Sequence, residues 1–465
     1  MKKQKLLALI FAVIFSIIPA SSVYAEKDSD KASTKTVTTV EEDDDFPSLH
    51  SDYYMLCDLD TGRVITSKNA DEKIYPASTT KILTAILALE RCDNLDEVVV
   101  ATSEAIDPID FTHSNMGILV GEELTVRELL YGLLVHSAND AANVLGVHIS
   151  GHLPDFAELL NAKARDLGAK NTNFTNAHGF HDDNHYTTVE DLAAITVYAM
   201  KNDLFAKIVS TKKYQIPETN KYRQIRYFSN TNMMLSNNRT SYHLFPYCIG
   251  VKTGSTDEAG NCLVSAAEKN GTRLLSVVMK CKNINNVEGA YSVTDSRALL
   301  DYGFDNYKHI TVAGVGDVVA DSKVREAKDG VRVTLSPAED LKILLPKDLD
   351  TDKIEFEVTM HEKTISAPIE KGASLGEATY TLDGEVLGTV KLVAGNAVER
   401  DFLLHIMFSI WDILTDPFVI IAVLAIAFIV FKVRSRREQR RRMRRRQLRQ
   451  FRDLDEFDDD DYYDM

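Results

Sequence analysis

Pro76-Ala77-Ser78-Thr79-Thr80-Lys81, running straight into Ile82-Leu83-Thr84-Ala85-Ile86-Leu87-Ala88-Leu89-Glu90-Arg91, is the stretch on which the reading of this chain turns. The apolar-rich run predicts a helix over Lys81–Arg91 with Ser78 at its N-terminus. There the helix dipole and free backbone N–H groups favour a developing anion. Ser78 and Lys81 stand at i and i+3 on one helix face, so the amine can reach the hydroxyl. A serine is a weak nucleophile at neutral pH and needs an adjacent base. A lysine serves as that base when desolvation or a neighbouring cation lowers its pKa. The same S-x-x-K text recurs at Ser210-Thr211-Lys212-Lys213, where it marks a helix-to-strand exit and is read as accidental.

Outward from this segment the pattern alternates. Upstream, residues 53–59 and 63–66 flank Asp60-Thr61-Gly62 and read as a hairpin. Downstream, residues 125–136, 141–149, 155–167 and 189–200 read as helices, and from Cys248 the texture becomes β (249–252, 262–266, 273–280). A helical middle with strands at both ends predicts an α+β domain over 47–305, its sheet built from both ends of the segment. Two further motifs fall inside it. Ser137-Ala138-Asn139, at the break between two helices, offers a hydroxyl and an amide for proton relay and substrate binding; helix capping is the competing use of such residues. Lys252-Thr253-Gly254-Ser255 ends a predicted strand, where Lys and Thr suit a carboxylate and Gly254 admits a close backbone. A second S-x-N, Ser236-Asn237-Asn238, lies in a polar loop.

The three motifs follow in the order S-x-x-K, S-x-N, K-T-G, separated by 59 and 115 residues from Ser78 to Ser137 to Lys252. In this the chain resembles the low-molecular-mass penicillin-binding proteins, the serine-type D-alanyl-D-alanine carboxypeptidases. The likeness extends through 164–191, with Leu167-Gly168-Ala169-Lys170-Asn171-Thr172 and Asn176-Ala177-His178-Gly179. It implies a β-lactamase/transpeptidase-like catalytic domain without metal or cofactor. By the same resemblance Ser78 is the acyl-ester nucleophile on peptidoglycan stem peptides, Lys81 its base, and Ser137 a proton relay with Lys252. Asn139 binds the substrate amide, and Lys252 and Thr253 the terminal carboxylate, beside Gly254. The backbone N–H groups of Ser78 and Ser255 form the oxyanion hole, and β-lactam antibiotics act as covalent inhibitors. The chain departs from the pattern at Ala138, where class A β-lactamases carry Asp, and at Ser255, where an aromatic or His is expected.

Three rival readings are weaker. A class A β-lactamase needs a deacylating Glu, but Glu158-Leu159-Leu160-Asn161 has the wrong spacing and reads as a helix face. His178, His181 and His185, with Asp182 and Asp183, invite a metal, yet Gly179 and Asn184 between them argue for a loop. A catalytically idle membrane scaffold has no need to keep Ser78, Lys81, Asn139 and Lys252 together.

The flanks set the compartment. Lys2, Lys3 and Lys5 precede an apolar run to Ile18, and Val23-Tyr24-Ala25 makes a cleavage site, so 1–25 read as a signal peptide and 26–46 as a flexible acidic linker. Short alternating runs between turns predict a small all-β domain over 306–398. An amphipathic segment, 399–416, with Trp411 at its end, precedes a transmembrane helix, 417–433. Those 17 residues reach roughly 25 Å, the low end of a span. The arginines that follow predict a single-pass chain with its catalytic domain extracytoplasmic and a basic, then acidic, cytoplasmic tail over 434–465, membrane lipid being a partner. The chain has 465 residues, enough for two or three domains, and a net charge of -16. From Lys432 onward 12 Lys+Arg face nine Asp+Glu, so the acidic excess belongs to the body and nucleic acid is excluded as its partner. Five cysteines, an odd number at 57, 92, 248, 262 and 281, form no disulfide framework and show no metal-binding spacing.

Overall fold

Strand β1 (Tyr53–Asp58) and its hairpin partner β2 (Val64–Lys68) lie in one antiparallel five-stranded sheet with three strands from far along the chain. These are β3 (Cys248–Thr256), β4 (Gly260–Lys269) and β5 (Thr272–Cys281), in the order β2-β1-β5-β4-β3. The sheet therefore joins both ends of the catalytic segment, as the alternation predicts, and leaves the K-T-G strand β3 on an edge. The computed structural model describes residues 45–237, 243–282 and 290–455. The expected signal peptide, nearly all of the acidic linker, Asn238 of the second S-x-N and the last ten residues of the tail lie outside them.

Between the strands runs a helical layer: α1 (Lys81–Arg91), α2 (Val126–Val135), α3 (Asn139–Ser150), α4 (Leu153–Asp166) and α5 (Val189–Ala199). Helix α1 is buried from Lys81 to Ala88, so it is the core of the domain, with apolar residues on every face. Helix α2 starts with a capping box in which Thr125 accepts from the Glu128 N–H and the Glu128 carboxylate accepts from the Thr125 N–H. It buries Leu129, Leu130, Leu133 and Leu134 completely, each worth roughly 1.5–3 kcal/mol of transfer free energy. Gly132 on this helix has no room for a side chain, since a Cβ there would stand 2.3 Å from the Met116 sulfur. Helix α5 begins at Thr188, whose hydroxyl accepts from the Asp191 N–H. Asp191 in turn accepts from Asn171 N (2.8 Å) and Thr172 Oγ1 (2.7 Å). These contacts give a structural use to the Leu167–Asp191 text.

The chain divides near Leu300 into two compact units. The second contains β6 (Tyr307–Ala313), β7 (Ala320–Arg325), β8 (Arg332–Pro337), β9 (Leu341–Pro346), β10 (Ile354–Met360), β11 (Ile365–Ser366), β12 (Ser374–Leu382) and β13 (Glu385–Ala394). Strands β10-β12-β13-β8-β7-β11 form one sheet and β6 pairs with β9. Leu335, Ile343, Leu345, Val390 and Leu392 fill its core. Two helices follow, α6 (Phe402–Thr415) and α7 (Pro417–Asp455). Helix α7 is long and apolar enough to cross a membrane and carries the basic stretch as a continuation of the same helix. The described part of the tail is thus helical, where the sequence suggests only a change of charge.

Candidate active site

Ser78 lies not in the helix proper but in a 3-10 turn, Ala77–Thr80, that leads into α1. The i, i+3 spacing still aligns Ser78 with Lys81, because a 3-10 turn eclipses residues three apart. Ala77 enters the turn at φ +47, a left-handed conformation costing a non-glycine residue about 1–3 kcal/mol. The Pro76 and Ala77 carbonyls each accept from a threonine hydroxyl in the same turn. Thr80 Oγ1 donates to Ala77 O at 2.9 Å, and Thr79 Oγ1 donates to Pro76 O at 2.7 Å. His185 Nδ1 accepts from the Thr175 N–H at 3.0 Å, which puts the ring proton on Nε2. That Nε2 stands 2.8 Å from Thr80 Oγ1 and donates to it. Burial holds the His185 pKa down to about 3, so the ring stays neutral and keeps this tautomer.

Two glycines clamp the turn. A Cβ on Gly179, at φ +88, would fall 1.8 Å from Ala77 O. On Gly254 of β3 it would meet Pro76 O, Ala77 Cβ and Ser78 N, each at 3.1 Å. The close backbone approach expected of the K-T-G glycine is therefore used first against the turn that carries Ser78.

Lys81 is fully buried behind Ser78. Its Nζ lies 2.8 Å from Ser78 Oγ, 2.7 Å from Asn139 Oδ1 and 2.7 Å from His178 O. Two of these partners are carbonyl oxygens, which only accept, and the third is a hydroxyl. Nζ donates to all three; a neutral amine, with two N–H donors and one lone pair, could keep both carbonyls and turn its lone pair to the Ser78 hydroxyl. Desolvation lowers the Lys81 pKa well below its ordinary value, and the Lys252 charge adds to this, while Asp140 opposes it. Asp140 itself is buried and accepts from the Met116, Ile118 and Ala141 N–H groups, and burial raises its pKa.

Ser137 and Asn139 do not cap α3. Ala138 occupies the N-cap position and makes no side-chain cap; the side chain that reaches the first turn is that of Asp140, which accepts from the Ala141 N–H. Ser137, at φ +66, instead aims its Oγ at Lys252 Nζ, 2.9 Å away. The Lys252 Nζ also donates to Thr253 O at 2.9 Å, and burial lowers its pKa to about 7. The cleft in front of these residues has a volume of about 380 Å³ and is lined by Ser78, Ser137, Thr231, Thr253, Gly254 and Ser255, among others. Lys81, Asn139 and Lys252 sit behind that wall. Thr231 Oγ1 is 2.7 Å from Thr253 Oγ1 and shares the substrate side of the cleft.

Sequence reasoning overlooked Thr80, Thr231 and Asp140, and weighed His185 only as part of a metal cluster. Thr80 lies inside the S-x-x-K text and Asp140 adjoins the S-x-N, so both were within reach; Thr231 sits in a loop with no distinguishing pattern, and the histidine pattern around His185 points to a metal rather than to its role beside Thr80. The histidine cluster is divided among separate partners: His185 as above, His178 Nδ1 accepting from the Phe180 N–H (3.2 Å), and His181 near Asp183 and Glu258. Glu158 is exposed on α4, and Asn161 is engaged with the Phe174 backbone. Neither contributes to the cleft.

The family model described as D-alanyl-D-alanine carboxypeptidase matches residues 36–283. The chain belongs to this family. A second model, the penicillin-binding protein 5 C-terminal domain, matches 307–400, over the all-β unit. Among curated relatives, D-alanyl-D-alanine carboxypeptidase DacF of Bacillus subtilis is 31% identical over 354 residues, covering 74% of this chain and 85% of the relative. DacA of Haemophilus influenzae is 31% identical over 374 residues, covering 79% and 89%. Penicillin-binding protein 5 of Haemophilus influenzae superposes with a TM-score of 0.62 at 29% identity, over 76% of this chain and 99% of that one. The activity of this D-alanyl-D-alanine carboxypeptidase family member is that of a serine hydrolase, and its architecture is the penicillin-binding protein 5-like transpeptidase fold with an all-β C-terminal domain.

Proposed function

We propose that Ser78 carries the acyl-enzyme and that Lys81 is its general base. The observation behind this is the Lys81 amine, buried and set among two carbonyl acceptors and the Ser78 hydroxyl. Lys81 Nζ takes the Oγ proton as Oγ bonds to the carbonyl carbon of the penultimate D-Ala in a peptidoglycan stem peptide. The resulting ammonium then donates to all three neighbours. The Ser78 and Ser255 N–H groups receive the oxyanion, one such donor being worth about 3–4 kcal/mol. The C–N bond breaks as the leaving D-Ala nitrogen takes a proton relayed from Lys252 through Ser137. Water then attacks the ester carbonyl and releases the shortened peptide as its carboxylate; Ser78 recovers its proton from Lys81, and a proton of the attacking water restores Lys252. Asn139, through its amide N–H groups, binds the substrate amide. Thr253, with Thr231 beside it, holds the terminal carboxylate. Because Lys252 lies behind the cleft wall, its charge acts on that carboxylate through Thr253 and Ser137. A β-lactam acylates Ser78 in the same way, but no leaving group departs.

The domains proposed are a catalytic domain over 47–305 and an all-β domain over 306–398, with α6 lying at the membrane surface. The apolar start of α7 crosses the membrane, and the arginines from Arg434 onward set the tail in the cytoplasm and the catalytic domain outside. The test is fluorescent penicillin labelling of the full chain beside Ser78→Ala, with D-Ala release measured on a pentapeptide. Label and release that both vanish in a folded Ser78→Ala protein support the assignment; label retained by the variant refutes it.

A further inference from the structure

We propose that Cys92, Glu97 and His148 form a binding site for a thiophilic divalent cation of the zinc class, which ties together the C-terminal ends of α1 and α3. The three residues come from different segments: the C-cap of α1, the loop before the strand Val98–Val100, and the last turn of α3. Their donor atoms all lie within 4.8 Å of one another. His148 Nε2 and Glu97 Oε1 are 3.0 Å apart. Donors sharing a zinc with bonds of ~2.0–2.3 Å stand roughly 3–4 Å apart, so modest side-chain shifts bring all three onto one ion.

The thiol points to a ligand independently of the ion pair. Cys92 is 6% exposed, and its sulfur has no hydrogen-bond partner among the described residues. Cys248, Cys262 and Cys281 each hydrogen-bond through sulfur; Cys57 also lacks such a bond among the described residues, but of the two only Cys92 has a carboxylate and an imidazole within reach. One thiolate, one imidazole and one carboxylate form a donor set that suits zinc and closes three of its four positions. Glu97 and His148 reach solvent, so water completes the fourth. On binding, the Cys92 thiol gives its proton to solvent. The imidazole proton moves from Nε2 to Nδ1, freeing the Nε2 lone pair for the metal.

The placement gives the site a purpose. The first residues of the same two helices are Lys81 and Asn139, whose side chains meet at 2.7 Å in the active site. A metal at the far ends would fix the helices against each other and hold that contact in register. The site itself stands independently of the catalytic roles assigned above.

The experiment uses the full chain in detergent, stripped of metal and titrated with Co²⁺ and then Zn²⁺. One cobalt per chain, with thiolate-to-metal charge-transfer absorption displaced by zinc, is the expected result, together with a higher Tm in zinc. Cys92→Ser should abolish the charge-transfer band. Glu97→Gln, a surface change that leaves penicillin labelling intact, should weaken binding by about tenfold or more. Absence of thiolate–cobalt absorption in the wild type overturns the proposal. So does a band that survives in Cys92→Ser, or, if that variant does not fold, unchanged affinity in Glu97→Gln.

Discussion

The chain spells S-x-x-K twice, and the two copies end in different chemistry. Ser78 and Lys81 sit in a clamped 3-10 turn with the amine fully buried. Ser210 is the C-cap residue of the helix Asp203–Val209, its Oγ donating to Lys207 O at 3.0 Å, and Lys213 opens the strand Lys213–Ile216 with its side chain in solvent. Spacing is identical, yet only the first lysine is enclosed, and there burial lowers its pKa, whereas Lys213 stands in solvent. A nucleophile–base pair is made by the surroundings of the four-residue text.

The largest expected break in this comparison is at the first copy. Ser78→Ala should lower kcat for D-Ala release by about 10⁴-fold or more and remove penicillin labelling. Lys81→Met should lose about 10²–10⁴-fold in the acylation rate. It should also raise Tm, because the cost of holding a buried amine away from its ordinary protonated state is removed with a thioether of similar length. A Lys81→Met protein that is both inactive and less stable would show that the lysine serves packing first.

Next comes Gly179→Ala. Its Cβ would meet the Ala77 carbonyl at 1.8 Å and demand φ +88 of an alanine, so the turn carrying Ser78 must move. A displacement near 1 Å at a reacting atom costs on the order of 10²-fold in rate. Stopped-flow acylation by a chromogenic cephalosporin would show it, with KM for the peptide changed less than kcat. A rate within twofold of wild type would mean the clamp does not position Ser78.

Smaller, but more specific, is the pH dependence of stability. Burial lowers Lys252 to about 7 from an ordinary value of 10.5 in the unfolded chain. Between these values the unfolded chain binds more protons than the folded one, so this group makes stability rise with pH from about 7 to 10.5 and contributes a constant penalty below. Lys252→Met lacks the penalty. It should exceed the wild type in urea midpoint at pH 7, and the gap should close as pH approaches 10. A gap that does not change with pH would place the ammonium in a better-solvated setting than its 1% exposure indicates.

How far the fold was legible follows from where its information lay. The helix Lys81–Arg91 and the edge strand at Cys248 declared themselves by apolar runs and by order along the chain. So did the sheet joining residues 53–68 to 248–281, because strands flanking a helical middle have few other partners. The site was legible as three motifs and no further. That Ser137 turns to Lys252 and not to the start of α3 depends on its positive φ, which no local pattern announces. That His185 steadies the turn carrying Ser78 through Thr80 depends on a contact across 105 residues. The polar groups behind Lys81 are ordinary in sequence and acquire meaning only when burial leaves them facing one another.

The smallest effect belongs to the second copy, and there the comparison is sharpest. Ser210→Ala removes one side-chain bond to a helix-end carbonyl, and Lys213→Ala shortens an exposed strand residue on a two-stranded ribbon. Neither touches the cleft. The double variant should keep kcat/KM and penicillin labelling within twofold of wild type and shift stability by less than about 0.5 kcal/mol each. If it instead lost acylation while Ser78→Ala retained any, the two copies would have exchanged roles and burial would not be what makes a lysine a base in this chain.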